Sequence, residues 1–440
     1  MMLSLRIAIV VWLSSVVAAG AATRTASTCN AADVQAAINS SATGDTVVIP
    51  TGTCTWTSSV TISGKGIVLQ GANPGAVTII NNAQFGLVVT EDATFHTEIS
   101  QLTVTGNGMF IKILPRTTPT DNGKAVLIHH LTLNDTAGIR AEANRGVIWS
   151  NTITGANTLG SNLEFVQCKP LGLMSSWTSP STMGTADATG ESNLYVEDNT
   201  FIKVLQAALD VDDNCRIVIR RNVFDNSALS SHGADTSSVG NRHFELYDNT
   251  FKFTDFGDCS GAQTANVPFF FFLRGGTGVI TNNTGLADMS SCAWGHKPAL
   301  NFTVMNLQRN AGPNPCWGAG TSGGARYHAP RQIGMGRLTG AGKDGLGRTT
   351  DSMTYVGDSE PLYIWDQAGP LNVALSDYGT SGGDGCSGVT DSTRNYVVPG
   401  RDFFVNGTAK PGWTRFTYPH PLRSGALAPP PSPVNVRIVR

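Results

Sequence analysis

Asp, Glu, Lys and Arg make up only 14% of this 440-residue sequence, so a dense group of titratable side chains stands out. One lies between residues 210 and 274 and holds Asp212, Asp213, Arg220, His232, Arg242, His243, Glu245 and Arg274. His232, followed by Gly233 in a Ser-rich stretch, is of a type that takes up a proton near neutral pH and has no core role there. Arginines bind carboxylates as planar forks. A base beside a carboxylate clamp is what β-elimination on a uronate requires, with His232 as base and Arg274, Arg220 and Arg242 as clamp or proton donors. Asp212 and Asp213, about one coil ahead of His232, offer two alternatives: acid-base hydrolysis of a glycosidic bond, or oxygen ligands for calcium. His243 and Glu245 share strand parity, so Glu245 can orient His243 and both can contact substrate. Trp177 lies in a Ser/Thr/Gly-rich excursion from Ser175 to Glu191 and presents a ring on which a sugar can stack.

Each of these residues also has a purely structural reading. Asp212 and Asp213 precede Asn214, a turn setting in which Asp bonds to backbone. Arg220 and Arg221 have opposite phase, so one of the two at most lines a given groove. Arg274 stands between Phe269-Phe270-Phe271-Phe272 and a Gly-Gly pair, and desolvating a guanidinium there implies a use for it.

The elements that must position these side chains announce themselves by repetition. Asn193-Leu-Tyr-Val-Glu-Asp-Asn199-Thr-Phe, Arg216-Ile-Val-Ile-Arg-Arg-Asn222-Val-Phe and His243-Phe-Glu-Leu-Tyr-Asp-Asn249-Thr-Phe are followed by Gly278-Val-Ile-Thr-Asn-Asn283-Thr. The closing Asn returns after 23, 27 and 34 residues, a period that signals a solenoid. Each phrase alternates apolar and polar positions, as a strand with one buried face does. The recurring Asn is expected at a bend, stacked on its equivalents and satisfying backbone groups, with no chemistry of its own. Residues of equal phase in successive coils then lie about 4.8 Å apart, so side chains distant in sequence line one groove.

Composition agrees: 49 Gly and 21 Pro with few charges describe a turn-rich β protein. The formal net charge of −2 supplies no global field, and nothing points to nucleic acid. Arg6, an apolar run from Ile7 to Val17 and small residues to Ala22 read as a signal peptide, assigned to residues 1–21. No later segment is apolar for long enough to span a bilayer. The 8 cysteines in an exported chain favour disulfides. Proximity suggests Cys29 with Cys54 and Cys259 with Cys292, and Cys316 with Cys386 in the tail. An amphipathic helix capped by Asn30, with Val34, Ala37 and Ile38 on its apolar face, closes the open end.

Val34-Gln-Ala-Ala-Ile38 followed by Gly44-Asp-Thr-Val-Val-Ile-Pro-Thr-Gly-Thr53 resembles the cap and first coil of the right-handed parallel β-helix proteins of the pectate-lyase-like superfamily. The resemblance runs over residues 29–310 and implies an all-β solenoid. Leu273-Arg274-Gly-Gly is similar to the Leu-Arg-His-Gly phrase of chondroitinase-B and alginate lyases, which implies a catalytic role for Arg274. In the preceding coil Gly240, Asn241 and Arg242 stand where that family has its Lys and calcium-binding acids. Asp212-Asp213 ahead of Ser231-His232-Gly233 is similar to the Asp-Asp and Gly-His-Gly elements of polygalacturonases. The succession from Asp212 to Arg274, with Lys410-Pro-Gly-Trp and Tyr418-Pro-His-Pro in the tail, looks like a group of secreted bacterial β-helix proteins.

The expectation is a β-helix over residues 22–312 with an irregular C-terminal region, 313–440, packed on it. The expected function is that of a secreted or periplasmic monomer that cleaves an acidic polysaccharide as a lyase. A glycoside hydrolase and a non-catalytic glycan-binding protein are the alternatives.

Overall fold

The computed structural model describes residues 20–106, 108–116, 123–135, 137–143, 145–155, 164–168, 191–204, 207–212, 215–231, 241, 243–253, 271–273, 275–287, 300–307, 333–339, 356–368, 371–378, 399–405, 407 and 409–423. Short strands succeed one another through three long parallel sheets of 12, 9 and 10 strands. A single coil shows the plan. Leu194–Glu197 lies in the first sheet, Thr200–Ile202 in the second and Ala207–Val211 in the third. Arg216–Arg220 then returns to the first sheet one coil on, pairing Leu194 with Ile217 and Glu197 with Arg220. The molecule is a right-handed parallel β-helix, as the repeat predicts.

Alternation along each strand sends every second side chain inward. Ile128, Ile148, Val196, Ile219 and Leu246 form one buried column in the first sheet. In the second sheet Phe201, Phe224 and Phe251 stack with centroids 4.9 Å apart and planes within 18°. Between the first and second sheets the chain turns on two residues. The first of them takes a left-handed conformation, as at Asp198, Arg221, Asp248 and Asn282. The second is the recurring Asn, and it behaves as predicted: Asn222 Oδ1 accepts from Asn199 N and Nδ2, both at 3.0 Å, while its Nδ2 donates to the Val196 and Arg220 carbonyls at 2.9 and 3.0 Å. The ladder runs from Asn151 through Asn199, Asn222 and Asn249 to Asn283. It ends on Gln367, whose Oε1 accepts from Asn283 and whose Nε2 donates to the Ile280 carbonyl at 2.9 Å.

Helix Ala31–Ser40 buries Val34, Ala37 and Ile38 as expected. Asn30 stands at its N-cap without a side-chain cap bond, and its amide donates to Thr28 Oγ1 instead. Cys29 is bonded to Cys54. A second disulfide joins Cys168 to Cys215 across 47 residues, a closure worth about 4 kcal/mol in chain entropy. Cys259, Cys292, Cys316 and Cys386 lie outside the described residues. No helix among those described is long and apolar enough to cross a membrane.

The sheets extend past residue 312. Leu362–Trp365 and Phe403–Val405 add to the first sheet, and Leu371–Tyr378 to the third. Residues 409–423 then run back across the outer face of the first sheet. Trp413, Phe416 and Leu422 pack there on an apolar cluster of Leu127, Val147, Trp149, Tyr195, Val218 and Tyr247.

Candidate functional site

The sequence-predicted residues fall on two different outer faces. Arg220, His243 and Glu245 belong to the first sheet, beneath the strap. Asp212, at the end of a strand of the third sheet, belongs to the other. His232, Arg242, Arg274, Asp213 and Trp177 lie outside the described residues.

On the first sheet Arg220 has 1% of its surface exposed, and every nitrogen of its guanidinium is engaged. Nε and Nη2 each lie 2.7 Å from Glu197 Oε2, and Nη1 donates to the Tyr247 hydroxyl at 3.2 Å. The rest goes to the strap: Nη1 donates to the Phe416 carbonyl at 3.0 Å and Nη2 to that of Thr417 at 2.8 Å. This differs from the expectation of a groove-facing clamp, because an arginine saturated by protein acceptors has no donor left for a substrate carboxylate. Burial works against the charge of Glu197, but Arg220 and Arg423 hold its carboxyl below the usual range.

His243 Nε2 and Glu245 Oε1 are 3.5 Å apart on one strand face, the pairing that parity predicts. Both side chains are buried. Burial pushes the Glu245 carboxyl up to about 7, offset in part by the Trp413 indole and the charges of Lys410 and Arg220. Trp413 of the strap, whose indole bears on the Glu245 carboxyl, meets the neighbouring Tyr247 edge-on with ring centroids 5.5 Å apart.

On the third sheet the outward positions follow one register: Lys112 beside Arg140, Arg140 beside Gln167, Gln167 beside Asp210, and Asp210 beside Ser230. Asp210 and Asp212 are both buried. At the C-terminal end of these strands three described residues come together. Asn241 Nδ2 donates to the Gly275 carbonyl at 2.8 Å, and Ser231 Oγ donates to the same oxygen at 3.4 Å. Gly276 follows with φ +79, and a Cβ there would fall 1.7 Å from Asn241 Oδ1. Only glycine fits so close an approach in that conformation. Ser231, Asn241 and Gly275 are the chain neighbours of His232, Arg242 and Arg274. Sequence reasoning noted Asn241 only as a departure from a family pattern. Its signal was the isolated Asn two residues ahead of strand His243–Tyr247 and facing Gly-Gly in the next coil.

Among the described residues no group of three or more His, Cys, Asp or Glu is arranged to hold a metal ion. Asp212 alone falls well short of the roughly six to eight oxygens that calcium takes.

No family model matches the chain, and no curated protein matches it either. Among solved structures it is similar to an alginate lyase from Paenibacillus sp. str. FPU-7, at 12% identity over 64% of this chain and 93% of that one, with a TM-score of 0.39. A polysaccharide lyase of family PL6 from Pseudopedobacter saltans shares 13% identity over 81% of this chain and 77% of that one, with a TM-score of 0.33. The catalytic domain of a GH87 α-1,3-glucanase shares 11% identity over 90% and 69%, with a TM-score of 0.28. The assignment of the fold rests on the strand registers, and these values carry no statement about activity.

Proposed function

We propose that this protein is an exported enzyme that cleaves an acidic polysaccharide by β-elimination at the C-terminal end of the third sheet. The supporting observation is the convergence of Ser231 and Asn241 on the Gly275 carbonyl, which anchors the chain next to His232, Arg242 and Arg274. Each candidate adjoins one of these anchors in the sequence. In the proposed reaction Arg242 and Arg274 neutralise the uronate carboxylate and His232 takes the proton at C5. The C5 electron pair forms the new double bond as the glycosidic C4–O bond breaks, and the departing oxygen takes up a proton. Asp212 and Asp213 would be the residues to hold a calcium ion, which would supply further neutralisation of the carboxylate; activity retained in a chelator removes it. Trp177 is assigned to stacking on the sugar.

One observation favours a second reading, hydrolysis. Asp210 lies in strand Ala207–Val211 of the third sheet, and Asp212 directly follows that strand. Acid-base hydrolysis needs two carboxyl groups flanking the glycosidic bond, and Asp212 with Asp213 and His232 is the set assigned to it.

Ultraviolet absorbance of an unsaturated uronate, followed on pectate, alginate, glucuronan and glycosaminoglycans, tests the first reading. New reducing ends without that absorbance would establish hydrolysis instead. His232→Ala is expected to abolish the signal, and full activity in that variant would remove the base from the scheme.

A further inference from the structure

Two cations stand directly opposite one another on the outer face of the third sheet, with Lys112 paired in register to Arg140. Both are half-buried, with side-chain exposures of 24% and 28%. Among the described residues their counter-ion is Glu142: Lys112 Nζ lies 3.1 Å and Arg140 Nε 2.8 Å from the same oxygen, Oε1. The ammonium of Lys112 also sits over the Phe85 ring, 5.1 Å from its centroid. Like charges opposite each other in neighbouring strands repel, so two cations on a single carboxylate oxygen leave an excess positive charge held in place by the sheet.

The pair is in line with the proposed reaction centre. Arg140 continues through Gln167 to Asp210 and Ser230 in one outward column. Arg140 is thus three coils from the strand that ends at Ser231 and Lys112 four, or about 14 and 19 Å along the axis at about 4.8 Å per coil. One coil advances the column by nearly the length of one pyranose unit. A glycan lying along the axis therefore keeps step with the coils and brings a sugar three or four units from the Ser231 coil over the cation pair.

We propose that Lys112 and Arg140 form a distal subsite that holds the carboxylate of a uronate residue and so selects acidic over neutral glycans. The proposal rests on the reading that a glycan lies along the third sheet. Glu142 tunes the subsite by neutralising one of its two charges.

The test is titration of the full chain with alginate, pectate and a neutral α-glucan, together with lyase assays on the acidic substrates. The double variant Lys112→Gln/Arg140→Gln is expected to bind the acidic polymer that wild type prefers about tenfold more weakly. It should also lose most of the salt dependence of that binding, and its catalytic loss should fall mainly on KM. Glu142→Gln should shift affinity the other way, tightening acidic binding several-fold; a merely structural ion-pair cluster would not produce that reversal. Equal affinity and equal salt dependence in wild type and double variant would overturn the subsite, as would Glu142→Gln weakening the binding. The two readings fail separately. Charge-dependent binding without turnover on any glycan removes the lyase and leaves the subsite. Turnover with KM unchanged in the double variant removes the subsite and leaves the lyase.

Discussion

Arg220 and Glu197 form an ion pair 2.7 Å long with both side chains fully buried, and apart from the Tyr247 hydroxyl the remaining partners of the pair come from the strap. Glu197 Oε1 accepts from Arg423 Nη1 at 2.7 Å and from the His420 backbone amide at 3.1 Å. Arg220 takes the Phe416 and Thr417 carbonyls. A buried ion pair is tolerable only when every donor and acceptor is matched. The strap and the pair therefore require each other. Arg220→Ala leaves Glu197 buried without its partner and is expected to destabilise the fold by about 3–5 kcal/mol, with new proteolytic cleavage within residues 409–423. Arg220→Lys should restore little, because a single ammonium cannot reach acceptors spread around a planar fork. Urea unfolding combined with limited proteolysis reads both outcomes. A variant with wild-type stability and a protected strap would show that the pair contributes nothing.

Glu245 gives the strap face a pH dependence. Its carboxyl is raised from 4.5 to about 7, so below pH 4.5 both folded and unfolded chains hold the proton. As pH rises through 4.5 the unfolded chain releases it while the folded chain keeps it until near 7. Stability from this group is thus full below 4.5, declines across the interval and is lost above 7, by about 3 kcal/mol. His243, Lys410, Arg220 and Tyr247 face the same carboxyl or its immediate surroundings and keep their own contributions in the variant. Glu245→Gln should flatten the stability profile between pH 5 and 7, measured by thermal melts at a series of pH values. An unchanged slope would assign that dependence to another group.

The Asn ladder predicts a gradient of cost along the solenoid. Asn222 is an interior rung, bonded on both sides to Asn199 and Asn249. Its replacement by Ala removes the donor to the Val196 and Arg220 carbonyls and the acceptor of the Asn199 backbone and side-chain amides, and should cost about 2–4 kcal/mol. Gln367 caps the end with one ladder neighbour, Asn283, and Gln367→Ala should cost about half as much. Denaturant midpoints of the two variants settle the order, and equal losses would mean that the rungs act independently of position.

The same ladder shows what the sequence could and could not reveal. The Asn rungs and the capping helix were legible because a period needs only local pattern: an apolar alternation, a bend residue, a return. Gln367 was not legible, since its longer side chain reaches the ladder from a coil whose spacing breaks the period. Cys168–Cys215 escaped because disulfides follow spatial neighbours, and coils bring together residues 47 apart. Arg220 looked like a site residue for a related reason. A strand pattern tells which face a side chain is on, but not that an aperiodic segment nearly two hundred residues later will cover that face. Asn241 left almost no trace, since one Asn beside Gly240 has the composition of any turn.

Asn241 gives the sharpest test of the third-sheet site. Its amide holds the Gly275 carbonyl at 2.8 Å, and Gly276 is packed against its Oδ1 in a conformation that only glycine adopts easily. Asn241→Ala removes one buried hydrogen bond, a loss of about 1–2 kcal/mol that should lower the melting point by a few degrees. If Gly275 positions Arg274 against the substrate, the larger effect falls on turnover. A displacement of about 1 Å of a positioned group can cost about a hundredfold in rate, so kcat on the preferred polysaccharide should fall by one to two orders of magnitude. Gly276→Ala should reproduce that loss by pushing the same turn away from Asn241. Kinetics and melting curves on both variants separate the two effects. Activity that falls only in proportion to the folded fraction would reduce Asn241 to a scaffold residue and move the search for the clamp away from Arg274.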